Sequence, residues 1–190
     1  MTLVLQLLWL ALPIIAAGLV HLAALKLDLL PGLRQLPLDG GRTFRGKRLF
    51  GDNKTWRGAV VTIGTTTLAA WGLAKLSVCC WPLPTLVPLA QTHPLLWGLL
   101  LGTGYIVGEL PNSLAKRQLG ISPGAAGQGT AGRVFWVIDQ LDSLAGMLLF
   151  IAPVWRPSPG LLAVIIGIML VAHPVSAWIM VVFGLKDRVG

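Results

Sequence analysis

The sequence predicts an all-α, polytopic transmembrane helix bundle of about five helices joined by cytoplasmic loops. Three observations predict it. Hydrophobic residues make up 55% of the 190-residue chain and charged residues 12%, against roughly 25% charged in an ordinary soluble domain. So few charges cannot cover a water-facing surface, and mean hydropathy is accordingly high, at +0.76. Five apolar stretches approach the ~20 residues that cross about 30 Å of hydrocarbon, and the basic residues between them sort to one side. The length suits a single integral-membrane domain over 1–190, and neither an internal repeat nor a low-complexity tract divides it.

The first span is predicted over Leu3–Leu25. It lacks a basic leading region and its apolar run exceeds a leader's core, so it reads as a permanent span. The second covers Gly58–Val78, the third Leu95–Leu114, the fourth Val137–Val154 and the fifth Leu161–Leu185. The first connection carries Lys26, Arg34, Arg42, Arg45, Lys47, Arg48, Lys54 and Arg57. The third connection adds Lys116, Arg117 and Arg133, and the tail adds Lys186 and Arg188. With five spans all of these fall on one side, and only Lys75 and Arg156 fall on the other. Basic loops stay in the cytoplasm. The expectation is a multi-pass protein of the cell membrane, with its N-terminus outside and its C-terminus and polar loops inside.

A net charge of +8 invites a nucleic-acid reading. The placement of the cations between apolar runs speaks against it, and the expected partner is the lipid bilayer. Trp56, Trp81, Trp136 and Trp155 stand near predicted span ends and read first as headgroup anchors. Cys79 and Cys80 form no metal pattern or disulfide framework and read as small apolar fillers at a helix end.

Seven acidic residues remain, none on the outer side: Asp28, Asp39, Asp52, Glu109, Asp139, Asp142 and Asp187. Asp139 and Asp142, at i and i+3, share a helix face at the start of the fourth predicted span. Two carboxylates there repel each other beside hydrocarbon, where a charge costs several kcal/mol. A hard divalent cation such as Mg²⁺ offsets that cost and takes carboxylate oxygens together with substrate phosphates. The plainer alternative is a helix N-terminus favouring negative charge through its dipole, which suits Asp139 better than Asp142. Glu109, Ser113, Lys116 and Arg117 form one helical stripe. The two cations alone would pass as snorkelling anchors, but an ionisable Glu109 inside the apolar run is a functional candidate by default.

The first connection interleaves cations with glycines from Asp39-Gly-Gly through Gly51-Asp-Asn-Lys-Thr-Trp-Arg-Gly58. Glycine admits close approach of backbone N–H groups to an anion; Lys supplies a point charge and Arg a bidentate fork. Arg48, Asn53, Lys54, Thr55 and Arg57 are therefore candidate phosphate contacts, with the N-terminus of the second span behind them. The Walker A pattern is absent. A polybasic loop held by anionic headgroups would need the charge but not this density of glycine. His21, His93 and His173 read as structural.

The stretches Asp39-Gly-Gly…Gly51-Asp-Asn-Lys-Thr-Trp-Arg-Gly58, Gly108-Glu-Leu-Pro-Asn-Ser-Leu-Ala-Lys-Arg117 and Asp139-Gln-Leu-Asp142, in this order, resemble the CDP-archaeol synthase family, a branch of the phosphatidate cytidylyltransferase superfamily. The resemblance implies a CTP-dependent nucleotidyltransferase. A membrane lipid phosphate would attack the α-phosphorus of CTP, giving a CDP-activated lipid and pyrophosphate. It implies Mg²⁺ at Asp139 and Asp142, with a second cation left open, and phosphate contacts at Lys54, Thr55, Arg57, Ser113, Lys116 and Arg117. The preference for cytosine comes from the resemblance alone. Two features depart from the family. Glu109 stands where Asp is usual, although its longer carboxylate can still reach a metal. The segment 121–136 is longer and rich in small residues, as a lid or flexible linker would be. Homo-oligomerisation and the lipid chains are left open. A CDP-alcohol phosphotransferase fits less well, because the acids after Asp39-Gly40 are wrongly spaced. A small anion transporter also fits less well, because the polar cluster lies at one face. A non-catalytic scaffold that merely binds anionic lipid is the third alternative.

Overall fold

In hydrocarbon every backbone polar group must find its partner within the chain, so apolar runs of span length become helices. The computed structural model describes residues 2–79, 85–87, 92–125, 127–182 and 184. Its long helices are α1 (Thr2–Lys26), α3 (Trp56–Cys79), α4 (Pro94–Gln118), α5 (Gly129–Ile151) and α6 (Pro159–Val182). A short α2 (Pro31–Arg34) and a two-stranded hairpin, β1 (Thr43–Phe44) with β2 (Lys47–Arg48), lie between α1 and α3. Cys80, Trp81, Lys186, Asp187 and Arg188, and the predicted end of the last span at Leu185, lie outside the described residues.

Four of these helices are both long and apolar enough to cross a membrane: α1 from Leu3, α3, α5 and α6. The 25-residue α4 is as long, at ~1.5 Å per residue, but its last third carries Glu109, Asn112, Ser113, Lys116 and Arg117. One apolar cluster joins all five. Ala70 of α3, Trp97 and Leu101 of α4, and Leu144, Met147 and Ile151 of α5 form its buried centre. Leu10 and Ile14 of α1 and Ile165, Ile166 and Met169 of α6 pack around it.

Helix α4 is the hub, and small residues make it one. A Cβ at Gly98 would stand 2.6 Å from the Thr67 Cα, and one at Gly102 2.8 Å from the Ile63 Cα, so α3 lies directly on that side. On the α5 side, a Cβ at Gly104 would meet the Gly146 carbonyl oxygen at 2.7 Å, and one at Gly108 the Asp142 carbonyl oxygen at 2.4 Å. Lipid chains are as apolar as leucine, so membrane helices associate through such close packing.

Two expectations are corrected here. Helix α5 starts at Gly129, not Val137, so half of the expected lid or linker is helical. Asp139 thus stands about 15 Å along the axis from the helix start. A helix dipole acts within the first turn and does not account for Asp139. Trp155 is not a headgroup anchor: it meets buried Trp97 edge-on, with ring centroids 5.9 Å apart. Trp56 is exposed at the start of α3, as an anchor should be. His93 caps α4, its Nδ1 accepting from the Leu95 N–H at 3.3 Å. Cys79 ends α3 exposed, its thiol donating to the Leu76 carbonyl at 3.9 Å.

Gly108→Ala should cost about 1–3 kcal/mol or more, as overpacking does, and lower the melting temperature in detergent. Gly64→Ala, with nothing within 4 Å of the added carbon, should not. Equal melting temperatures for both variants would refute the close α4–α5 contact.

Candidate active site

The first connection folds around one buried acid. The Asp39 carboxylate is fully enclosed. It accepts from the N–H groups of Gly41 at 2.9 Å, Phe50 at 3.0 Å and Gly51 at 3.3 Å, and from Arg48 through Nη2 at 2.7 Å and Nε at 3.3 Å. Burial alone would raise its pKa; the Arg48 bond and these N–H groups outweigh that and bring it down to about 2. The ends of the loop are stitched together, Leu38 N–H donating to the Lys54 carbonyl at 2.7 Å and Trp56 N–H to Leu36 at 2.9 Å. The loop then docks on the end of α4. Lys47 Nζ donates to the Gln118 carbonyl at 2.6 Å. Gly51, at φ +93°, lies so close that a Cβ would be 2.9 Å from the Pro123 ring and 3.5 Å from Arg117 Cδ.

This docking completes a cavity of about 220 Å³ lined by Asn53 and Lys54 of the loop, by Glu109, Asn112, Ser113, Lys116 and Arg117 of α4, and by Trp136, Asp139, Gln140 and Asp142 of α5. Gly124 and Ala125 close one edge, and Pro174 and Ala177 of α6 another. The two carboxylates converge on a single amide: Asn112 Nδ2 donates to Asp139 Oδ1 at 2.6 Å and to Asp142 Oδ2 at 2.7 Å. Lys116 Nζ grips both oxygens of Asp139, at 2.5 and 2.6 Å, while lying over the Phe135 ring. Lys54 pairs with Glu109.

Among the described residues, two charges lining this cavity have no opposite charge bonded to them. Asp142 accepts from Asn112 and from the Ser143 N–H. Arg117 is buried, and its Nε and Nη1 meet no hydrogen-bond partner among the described residues; neither does the buried Asn112 Oδ1. A buried charge without a partner costs several kcal/mol. The cavity thus offers one carboxylate to a cation and one guanidinium to an anion, with Lys54 and Lys116 alongside.

Of the candidates read from sequence, Asn53, Lys54, Glu109, Ser113, Lys116, Arg117, Asp139 and Asp142 meet in this cavity. Three do not line it. Arg57 is buried with Nη1 on Asp28, at 2.9 Å; Arg48 is held by Asp39 and Asp52; and the Thr55 hydroxyl accepts from the Gly58 N–H. Glu109 lines the same cavity as Asp139 and Asp142, with Lys54 on its carboxylate. Among the described residues no three His, Cys, Asp or Glu side chains come together in a metal-binding group. Asn112 was missed, although it lies on the helical stripe of Glu109, Ser113 and Lys116 at the i, i+3 and i+4 spacings. Trp136, first read as an anchor, lines the cavity well inside α5.

A polar cavity of this composition at one end of an apolar bundle defines a polytopic membrane protein with an ionic site. A family model described as CarS-like: CDP-archaeol synthase matches residues 1–189, and the chain belongs to that family. Among its relatives is the CDP-archaeol synthase of Methanosphaerula palustris, 38% identical over 60% of this chain and 62% of that protein. That of Halobacterium salinarum is 34% identical over 80% of this chain and 82% of that one, and that of Pyrococcus furiosus is 32% identical over 75% and 74%. The chain therefore spans just under two thirds of the Methanosphaerula relative. A solved intramembrane enzyme for archaeal membrane lipid biosynthesis shares the fold, with a TM-score of 0.63 and 22% identity, over 90% of this chain and 92% of that one.

The depressed Asp39 pKa has a fixed sign. Its contribution to loop order is complete above the ordinary carboxylate value of 3.8 and is lost as pH falls through about 2; at neutral pH it amounts to about 2 kcal/mol. Asp39→Asn should make residues 36–56 sensitive to limited proteolysis at pH 7. Unchanged proteolysis of this variant would show that the acid does not hold the loop.

Proposed function

We propose that the chain transfers the cytidylyl group of CTP to a membrane lipid phosphate of the archaetidic acid type. The products are a CDP-activated lipid and pyrophosphate. Membership of the family carries the reaction class, and one observation ties it to this cavity: the buried Arg117 guanidinium and the half-buried Asp142 carboxylate, each with no opposite charge bonded to it among the described residues, line the same space. A polyphosphate bound with a cation would satisfy both.

The balance is simple. A lipid phosphate oxygen bonds to the α-phosphorus as the bond from that phosphorus to the β-phosphate oxygen breaks, and pyrophosphate leaves. The nucleophile is already an anion, so no histidine or serine is required to activate it. Catalysis of this kind rests on positioning and charge neutralisation. Arg117 is the most buried cation of the cavity and would hold a phosphate through its unpartnered N–H groups. Lys54 and Lys116 would move from Glu109 and Asp139 onto phosphate oxygens. Ser113 and Asn53 would donate to the remaining ones.

The donor set also fits Mg²⁺. Two carboxylates converge beside a buried, unpartnered amide oxygen, all three are hard oxygen donors, and this ion takes one or two carboxylates plus substrate phosphates. Asp139 and Asp142 would hold it, and bound there it would neutralise charge on the phosphates. Until it binds, Asn112 and Lys116 supply the positive partners that keep the two acids together. The hairpin, the end of α4 and the segment after it share one face with most of the basic residues, which supports a cytoplasmic site with the N-terminus outside.

The protein in detergent, with Mg²⁺, CTP and a lipid phosphate, should release pyrophosphate, and a panel of nucleoside triphosphates should favour CTP. Absence of release across the panel would sink the reading. Asp142→Asn should lower turnover at least a hundredfold without unfolding the protein; near wild-type turnover would remove its metal role. Lys116→Met should bind Mn²⁺ more tightly than the wild type when nucleotide is absent, because its internal competitor is gone, yet turn over more slowly. Unchanged Mn²⁺ affinity would show that Lys116 does not guard the acids.

A further inference from the structure

Lys54 is the cation of the cavity that a loop supplies; Lys116 and Arg117 stand on α4. A lysine on a loop is placed only as well as the ends of that loop are held. Both ends of the first connection meet at one carboxylate, outside the cavity. Asp28, just past the end of α1, accepts at Oδ1 from Arg34 Nη1 and from Arg57 Nη1, each at 2.9 Å. Arg34 ends α2 at the entry of the connection, and Arg57 stands in the first turn of α3 at its exit. Between the two arginines the strands are tied again, by the Leu36 and Leu38 bonds described above and by a bridge from Pro37 to Thr55.

The backbone is bent to bring Asp28 there. Asp28 and Leu30 have φ of 47° and 54°, in the left-handed region that a leucine rarely enters. Arg57 Nη1 also reaches the Leu29 carbonyl, at 3.5 Å. Two turns earlier on α1, His21 meets the same turn of α3: a Cβ at Gly58 would stand 3.3 Å from its Cε1. The end of α1 thus clasps the start of α3. Arg57 is buried, whereas Asp28 is half-exposed. Removing the acid leaves a buried guanidinium uncompensated, and the first turn of α3 must shift to relieve it. Lys54 lies three residues ahead of Arg57 and shifts with it.

We infer that Asp28 is a positioning residue for the reaction: through Arg34 and Arg57 it holds both ends of the first connection and so keeps Lys54 at Glu109, beside the cavity. Arg57 then acts through this clasp and not on phosphate. The effect on turnover rests on the cytidylyl-transfer reading of the site; the placement of Lys54 does not.

The first test needs no turnover. A water-soluble carbodiimide joins a paired amine and carboxylate as an amide, the carbodiimide taking up the water lost. In the wild type it should link Lys54 to Glu109 and Lys116 to Asp139, read by mass spectrometry of the digested protein. Asp28→Ala should lower the yield of the first link several-fold and leave the second unchanged, and the milder Asp28→Asn should lower the first less. Both yields unchanged, or both falling together as in a general loosening, would overturn the inference. The second test is kinetic. Asp28→Ala should raise the KM for CTP about tenfold while changing kcat less. In a Lys54→Met background it should add nothing further, because residues that act through one group are not additive. A full further rise in that background would overturn the inference. A wild-type protein that releases no pyrophosphate would instead sink the reading of the site, and the crosslink ratio would still decide whether Asp28 places Lys54.

Discussion

The contact between α4 and α5 at Gly104, Gly108 and Gly146 leaves no room for a side-chain carbon on either helix, and the site is built on it. Backbones this close place the turn carrying Asp142 against the turn carrying Gly108 and Asn112. One amide can then bridge two carboxylates that belong to another helix. Had α4 and α5 been spaced by leucines, at the usual 8–10 Å between axes, Asn112 would not reach both acids. The same hub fixes α3 through Gly98 and Gly102, and α3 begins where the first connection ends.

Charges at this depth are costly, and the cavity offsets most of the cost internally. Lys116 covers Asp139, Lys54 covers Glu109, and Asn112 covers what remains of the acid pair. The lysines are only partly enclosed, whereas Arg117 is buried with N–H groups unmet. The cavity thus combines exchangeable lysine pairs with an unmatched guanidinium. The apolar face of α6 meets the same cavity from the membrane side.

Much of this was legible in the sequence. The spans follow from apolar length. Eight of the candidate site residues meet in one cavity because helical spacing had put Glu109, Ser113, Lys116 and Arg117 on one stripe and Asp139 with Asp142 on another. Where the reading failed, a local rule met a non-local partner. Arg57 resembled a phosphate ligand by its neighbours, yet Asp28, at the end of α1, claims it. The start of α5 was set too late because glycine and alanine between residues 124 and 132 suggest a linker. Residues 129–132 are nonetheless helical, with Gly132 lying against Gly127.

By itself the sequence determined a membrane bundle, the side on which its charges gather and the chemical inventory of the site, since composition, periodicity and charge placement are local properties of the chain. The tertiary structure decided which acid pairs with which base, that Asn112 joins Asp139 to Asp142, that Asp39 shapes the loop, and that α6 supplies the apolar wall. Each of those depends on distances between residues far apart in the chain, and here those distances are set by helix axes drawn together at glycine.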